Sequence, residues 1–168
     1  MFNSWSLSFV ASLGVDGFVS PLENNRQNLE RTIKESLISG AGSHNSKRKS
    51  SNLLHSKFFI TVFAYPPLFN IRTDLGSIFK FKSFTDNMGE SFSFVTDLDG
   101  SRVYSQKHFS ITDKIPFLKE AGFGRFIIDL SGITIKKSEY KDLMRSISKN
   151  SPLPNSSRFN WKDGFYSG

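Results

Sequence analysis

The sequence contains no cysteine. This absence excludes disulfide bonds, thiolate nucleophiles, cysteine-based zinc sites and cysteine-ligated iron–sulfur clusters. The three histidines form no helical pair at metal-binding spacing, and no serine lies in a Gly-x-Ser-x-Gly element. We therefore expect no metal and no cofactor, and we expect His44, His55 and His108 to be exposed side chains in polar surroundings.

Long apolar runs are also absent. No stretch approaches the roughly 20 residues that a membrane-spanning helix requires. The N-terminal stretch "MFNSWSLSFVASLGVDGF" is apolar, but it lacks the positively charged leading region and the small-residue cleavage site of a signal peptide. The sequence therefore predicts a cytoplasmic protein with no membrane partner.

Basic side chains outnumber acidic ones. Lysine and arginine number 22 against 15 acidic residues, which gives a formal net charge of +7 over 168 residues. Part of this charge lies in a Ser-rich segment at 42–52, which is too polar to bury a core and is predicted to be a mobile loop. The excess favours an anionic partner such as RNA, while the length suits one domain.

The first segment, residues 1–80, has the pattern of a β-α-β unit. Residues 15–19 and 58–63 are short apolar runs typical of buried parallel strands. Between them, Ser20 and Glu23 stand at the N-cap and third positions of a helix that begins with a capping box. Strands joined by such a crossover pair in parallel, which predicts an α/β fold.

The middle segment, residues 81–108, alternates aromatic and polar side chains. It predicts an inserted β-hairpin region with strands at 92–96 and 102–105. The connecting "DLDG" resembles the start of a calcium loop, but the later ligands of such a loop are missing. A tight turn is therefore the favoured interpretation.

The third segment, residues 109–150, predicts an α-β-α order. Thr112 or Asp113 can cap a first helix, which Gly122 closes. Residues 125–130 read as another buried strand of the parallel type. The chain therefore holds three predicted strands of the parallel type.

A second helix is predicted at 138–147, followed by an irregular tail at 151–168. The apolar residues of this helix recur at helical spacing and predict a buried stripe of Tyr140, Leu143, Met144 and Ile147. Basic residues four apart form a ridge on the same helix: Lys137, Lys141, Arg145 and Lys149. Such a ridge can meet phosphates, or it can be a solvated helix face.

Two carboxylates come at the ends of predicted parallel strands. Sites of parallel α/β proteins are assembled at the carboxyl ends of strands, so Glu23 and Asp129 are candidate site residues. Each also has a structural explanation. Glu23 suffices as a capping-box residue, and Asp129 can organise the turn that follows it.

Five stretches follow one another along the chain: "FNSWSLSFVASLGVDGFVSPLE", "VFAYPPLF", "DLDGSRVY", "LKEAGFGRFIIDL" and "NSSRFNWKDGFYSG". In this order they resemble the C-terminal half of the collagenase-like peptidases, the U-thirty-two peptidase family. The resemblance implies a parallel barrel of the TIM kind with a β insertion, and a role in peptide hydrolysis. Other members of the family support hydroxylation of RNA bases or of a quinone ring through a cysteine-bound iron–sulfur cluster, whose cysteines this chain lacks.

Three parallel strands are too few to close a barrel, which usually takes about 250 residues. We therefore expect a partial TIM-like barrel from a truncated or split peptidase, without catalysis of its own. Its expected partners are the missing N-terminal barrel half or another copy, with a peptide as substrate. In such an assembly Glu23 is the predicted catalytic residue, and Tyr65, Arg72 and Asp129 are predicted to bind substrate.

Two other functions fit the same residues. The basic ridge and the 42–52 loop favour an RNA-binding or RNA-modification accessory module. Alternatively, the chain has a structural role only and completes the barrel of a partner.

Overall fold

The computed structural model describes residues 4–39, 57–131 and 134–156. Helices and strands alternate in the first and last parts of the chain, whereas the middle is mainly strands. The described helices are α1 (Ser4–Ser12), α2 (Arg26–Ser39), α3 (Leu75–Ile78), α4 (Ile115–Glu120) and α5 (Lys137–Lys149). The described strands are β1 (Phe18–Val19), β2 (Phe58–Ala64), β3 (Pro67–Ile71), β4 (Ser83–Thr85), β5 (Ser91–Asp97), β6 (Gly100–Ser105), β7 (Phe109–Ser110) and β8 (Arg125–Ile128).

A four-stranded mixed sheet is organised around β2. This strand pairs in parallel with β1 and β8, which confirms the predicted parallel sheet and its β-α-β unit. It also pairs antiparallel with β7, a short strand that the sequence patterns do not indicate. The described strands do not close into a barrel, so the fold is mixed α/β with an open sheet.

The main core lies over this sheet. Six of the seven residues of β2 are buried, as expected of a central strand covered on both faces, and Phe58, Ile60 and Val62 belong to one cluster. Leu29 and Ile33 of α2 pack into the same cluster at helical spacing. The cluster also contains Leu7, Phe18, Ala64, Phe109, Ile111, Ile115, Leu118 and Phe123.

The start of α2 differs from the prediction. The helix begins at Arg26, and Asn25 caps it by accepting a hydrogen bond from the N–H of Asn28 at 2.8 Å. Ser20 is not the N-cap: its N–H donates to the carbonyl of Phe59 at 2.9 Å, and its hydroxyl accepts a hydrogen bond from the side-chain amide of Asn24 at 3.0 Å. Glu23 therefore lies in an exposed turn, outside any capping box.

The middle of the chain forms a second sheet. Its order is β3-β6-β5-β4, and every pairing is antiparallel. The predicted hairpin of β5 and β6 is confirmed, with Asp97 Oδ1 accepting a hydrogen bond from the N–H of Asp99 at 3.0 Å in its turn. The first strand of this sheet, β3, begins at Pro67. Proline is tolerated at that position because it is the first residue of an edge strand.

Gly100 lets the hairpin lie against β3. Its φ is +126°, a conformation that L-residues with side chains rarely adopt. A Cβ atom there would stand 2.2 Å from the carbonyl oxygen of Ile71. Phe92, Phe94 and Val103 form a separate buried cluster on this sheet, beneath Leu75 of α3.

The last two helices are present, but their details differ from the prediction. A 3-10 turn at Thr112–Lys114 leads into α4 without a side-chain cap from Thr112 or Asp113. The Thr112 hydroxyl instead lies 2.6 Å from that of Ser146 in α5. This contact places Ser146 beside Leu143 on the buried face.

The predicted buried stripe on α5 is therefore wrong for two of its residues. Leu143 is fully buried and Ile147 packs against the main core, as expected. Tyr140 and Met144 are exposed, because Ser146 occupies the position toward the core that an apolar stripe would hold.

Among the described residues, no helix is long and apolar enough to cross a membrane.

Replacing Asn25 with alanine is expected to destabilise the protein by about 1 kcal/mol, because the cap of α2 is lost. Glu23→Gln is expected to change stability by less than about 0.5 kcal/mol, since the side chain is exposed and caps nothing. Urea denaturation followed by circular dichroism measures both, with Gln27→Ala on the exposed first turn as the control. A larger loss for Glu23→Gln than for Asn25→Ala would contradict the observed helix start.

Candidate functional site

A recess of about 140 Å³ opens at the carboxyl end of β2. Phe63 and Tyr65 reach it from that strand and from the residue that follows it. Lys107 and His108 come from the connection between β6 and β7, Glu139 and Asp142 from the first turns of α5, and residues 153–155 from the end of the described chain. Ligands of α/β proteins bind at this edge of a parallel sheet, which makes the recess the candidate site.

Three aromatic rings form one wall of the recess. The rings of Phe63 and His108 lie 5.1 Å apart between centroids, and those of Tyr65 and His108 lie 6.0 Å apart in an edge-to-face arrangement. Phe63 and Tyr65 also meet edge to face at 5.8 Å. Such mutual packing holds the imidazole and the phenol in place, so that the recess is preorganised.

His108 carries the most reactive group of the recess. Its Nε2 atom is buried and has no hydrogen-bond partner among the residues that the structure describes. Burial lowers the pKa of His108 below its ordinary value of 6.5, and the nearby charge of Glu139 opposes this only in part. The ring is therefore neutral at pH 7.

Tyr65 and Glu139 complete the polar lining. Burial, and then the charge of Glu139, raise the pKa of Tyr65 above 10.0, so its hydroxyl remains a hydrogen-bond donor at neutral pH. Glu139 is held at the start of α5, where its Oε2 accepts a hydrogen bond from the N–H of Lys136 at 2.9 Å. One carboxylate thus influences both aromatic polar groups.

An ion pair ties the recess to the antiparallel sheet. Lys107 Nζ lies 2.9 Å from Glu90 Oε1, and the Glu90 side chain is only 3% exposed. A buried carboxylate needs such a partner, because desolvation of an unpaired charge is costly. The charge of Lys107 is therefore committed to Glu90, and the charge of Glu139 dominates the recess.

The structure separates the residues that the sequence predicts as one site. Tyr65 lies in the recess. Arg72 lies at the far end of β3, beside the hairpin turn in a depression of about 380 Å³ that Asp97 and Asp99 also line. Glu23 stands exposed in the turn after β1 and lines neither cavity.

Asp129 organises the turn after β8. Its N–H donates to the carbonyl of Phe63 at 2.8 Å and so extends the pairing with β2. Its carboxylate accepts hydrogen bonds from the N–H and the hydroxyl of Ser131, at 2.8 and 2.6 Å. The second interpretation of Asp129, a turn residue, therefore has a direct structural basis.

The prediction of an exposed histidine is wrong for His108, which is half-buried. The signal in the sequence is its position directly before an apolar segment, Phe109 to Ile111, which becomes part of the core. His44 and His55, like the 42–52 loop, lie outside the described residues. No local pattern indicates that Glu139 lies in the same recess as His108, since the two residues come from distant segments.

The basic ridge of α5 is exposed along its length. The side chains of Lys137, Lys141 and Lys149 face solvent, and Arg145 donates to Asp142 Oδ1 at 2.7 Å. Within the described part of the chain, no group of three or more histidine, aspartate or glutamate side chains could hold a metal ion.

Comparison of the chain with models of known protein families, with curated proteins and with solved structures finds no match.

The lowered pKa of His108 predicts a pH dependence of stability. Because the unfolded histidine binds a proton near pH 6.5 and the folded one binds it only at lower pH, the protein should lose stability as pH falls below about 6.5. His108→Gln should reduce this loss. Thermal melting of both proteins between pH 7.5 and 5.5 measures this loss of stability. An equal decrease of melting temperature with falling pH in the two proteins would contradict the burial of a neutral ring.

Proposed function

We propose that the chain supplies a peptide-binding site within a peptidase-like α/β fold and does not catalyse hydrolysis by itself. The observation that carries the proposal is the recess at the carboxyl end of β2, where His108, Tyr65 and Glu139 converge beside an apolar wall. A small concave surface with few, well-placed polar groups is typical of ligand sites. A neutral imidazole and a phenol suit the amide groups of a peptide.

The charge of the recess favours a cationic group of that peptide. Glu139 shifts the pKa of both Tyr65 and His108 in the direction that a negative charge produces. Lys107 does not offset it, since Lys107 is paired with Glu90. The preferred ligand is therefore a peptide amino terminus or a lysine or arginine side chain.

The sheet supports the partial TIM-like barrel that forms part of the proposal. β1, β2 and β8 are parallel and are joined in chain order, and neighbouring strands of a barrel have this relation. Within the described residues, β1 and β8 each pair only with β2, which leaves strand edges for a second chain to cover. In that assembly Glu23 is our candidate for the catalytic carboxylate.

Binding of short fluorescent peptides tests the recess. We expect a lysine-rich peptide to bind more tightly than a glutamate-rich one, and Glu139→Gln to weaken the lysine-rich peptide about tenfold, as loss of a charged hydrogen bond does. Tyr65→Phe should weaken both peptides. Glu120→Gln removes an equal charge from the exposed end of α4 and serves as the control.

Unchanged affinity in Glu139→Gln and Tyr65→Phe would contradict a peptide site in the recess. Peptide cleavage by the isolated chain would contradict the absence of independent catalysis. Cleavage that survives Glu23→Gln would in addition remove Glu23 as the catalytic candidate.

RNA binding is a second candidate, favoured by the exposed basic ridge on α5. The ridge presents three lysines without an acidic partner among the described residues, on a chain with a net charge of +7. We expect Lys137→Gln with Lys141→Gln to lower the salt dependence of RNA affinity, because each phosphate contact contributes to its slope. Affinity that is undetectable in dilute buffer would exclude this candidate.

A further inference from the structure

A row of phenylalanines crosses the surface of the antiparallel sheet. The segment "FKFKSF", residues 79–84, runs from the end of α3 into β4 and alternates aromatic with basic side chains. Phe79, Phe81 and Phe84 form what we call the aromatic row. Each of the three is large and apolar, yet they are 43%, 47% and 40% exposed.

The rings of the row are held in a fixed arrangement. Phe79 and Phe81 stack with centroids 5.0 Å apart, and Phe84 stacks on the buried Phe92 at 5.3 Å. Phe81 meets Phe84 and the buried Phe94 edge to face, at 6.4 and 6.2 Å. One side of the row is therefore anchored to the core of the sheet, while the other remains open to solvent.

Two lysines accompany the row without any acidic partner. Lys80 and Lys82 are exposed, and neither ammonium group makes a hydrogen bond or an ion pair with a described residue. The acidic residues nearest in sequence have other partners. Asp74 accepts a hydrogen bond from the N–H of Ser77 at 3.1 Å. Asp86 accepts hydrogen bonds from the N–H groups of Met88 and Glu90, at 2.9 and 2.8 Å.

We propose that the aromatic row with Lys80 and Lys82 binds single-stranded RNA. Unpaired bases stack on exposed aromatic faces, and lysines between the rings neutralise the phosphates that connect those bases. This inference deepens the RNA-binding candidate above, but it places the contact on a different surface from the α5 ridge.

The composition of the surface favours a nucleic-acid strand over a protein partner. A protein interface of stacked phenylalanines does not require uncompensated lysines between them, whereas a nucleic-acid strand does.

The test uses the full chain and a fluorescein-labelled twelve-nucleotide oligo-uridine, with affinity followed by fluorescence anisotropy over a range of salt. Phe79→Leu keeps the apolar character of the site but removes its outermost ring, and should weaken binding at least about fivefold. Phe69→Leu is the control, because Phe69 is also exposed, at 59% against 43% for Phe79, but lies outside the row, on β3.

Replacing Lys80 and Lys82 together by glutamine should reduce the slope of log affinity against log salt by about 1.4, since each phosphate contact to a single strand contributes roughly 0.7. Lys137→Gln with Lys141→Gln removes the same charge from α5 and separates the two surfaces. Melting curves of every variant establish that each protein is folded.

Loss of binding in the Phe79 and lysine variants, with the α5 and Phe69 variants unchanged, supports the aromatic row. Equal losses for the two lysine pairs, with no effect of Phe79→Leu, would overturn it and leave RNA binding to general charge. A loss only in the α5 variant would overturn it in favour of the ridge. Equal affinity for oligo-thymidine DNA would overturn the assignment to RNA, and self-association without RNA binding would identify a protein interface instead.

Discussion

Burial of β2 and the pairing of its backbone are the constraint on which the rest of the structure depends. A strand of apolar residues inside a core has to satisfy its N–H and C=O groups through neighbouring strands. β2 does so with β1 and β8 in parallel and with β7 antiparallel, and these partners come from both ends of the chain. The carboxyl end of β2 consequently brings Phe63 and Tyr65 against His108 and the first turns of α5, which creates the recess.

The antiparallel sheet is a second unit with its own small core, and its link to the recess is electrostatic as well as covalent. Lys107 leads from β6 into the connection that carries His108, and its ion pair with the buried Glu90 fixes that connection to the sheet. The two sheets thus carry different kinds of functional side chain. Polar groups with shifted pKa values gather at the parallel sheet, whereas exposed aromatic and basic side chains gather on the antiparallel one.

Local patterns in the sequence predicted most of the elements. The parallel strands, the central hairpin and both C-terminal helices follow from apolar periodicity and from turn residues such as Gly100, which acts within a few neighbouring positions. The residues of the candidate site were harder to predict from the sequence. Tyr65 was predicted from its position after a strand, but Glu23 and Arg72 lie elsewhere, because proximity in the chain to a strand end does not specify which strand ends meet.

By itself, the sequence determined that the chain has no cysteine chemistry, a strong positive charge and an α/β order with an antiparallel insertion. Only the tertiary structure decided where α2 begins: the N–H of Ser20 extends the pairing with β2 through the carbonyl of Phe59, and Asn25 becomes the cap instead. The same holds for α5, whose buried face is set by the contact of Ser146 with Thr112. It holds too for His108, because burial and the approach of Glu139 arise from segments that meet only in the folded chain, and no local pattern encodes such meetings.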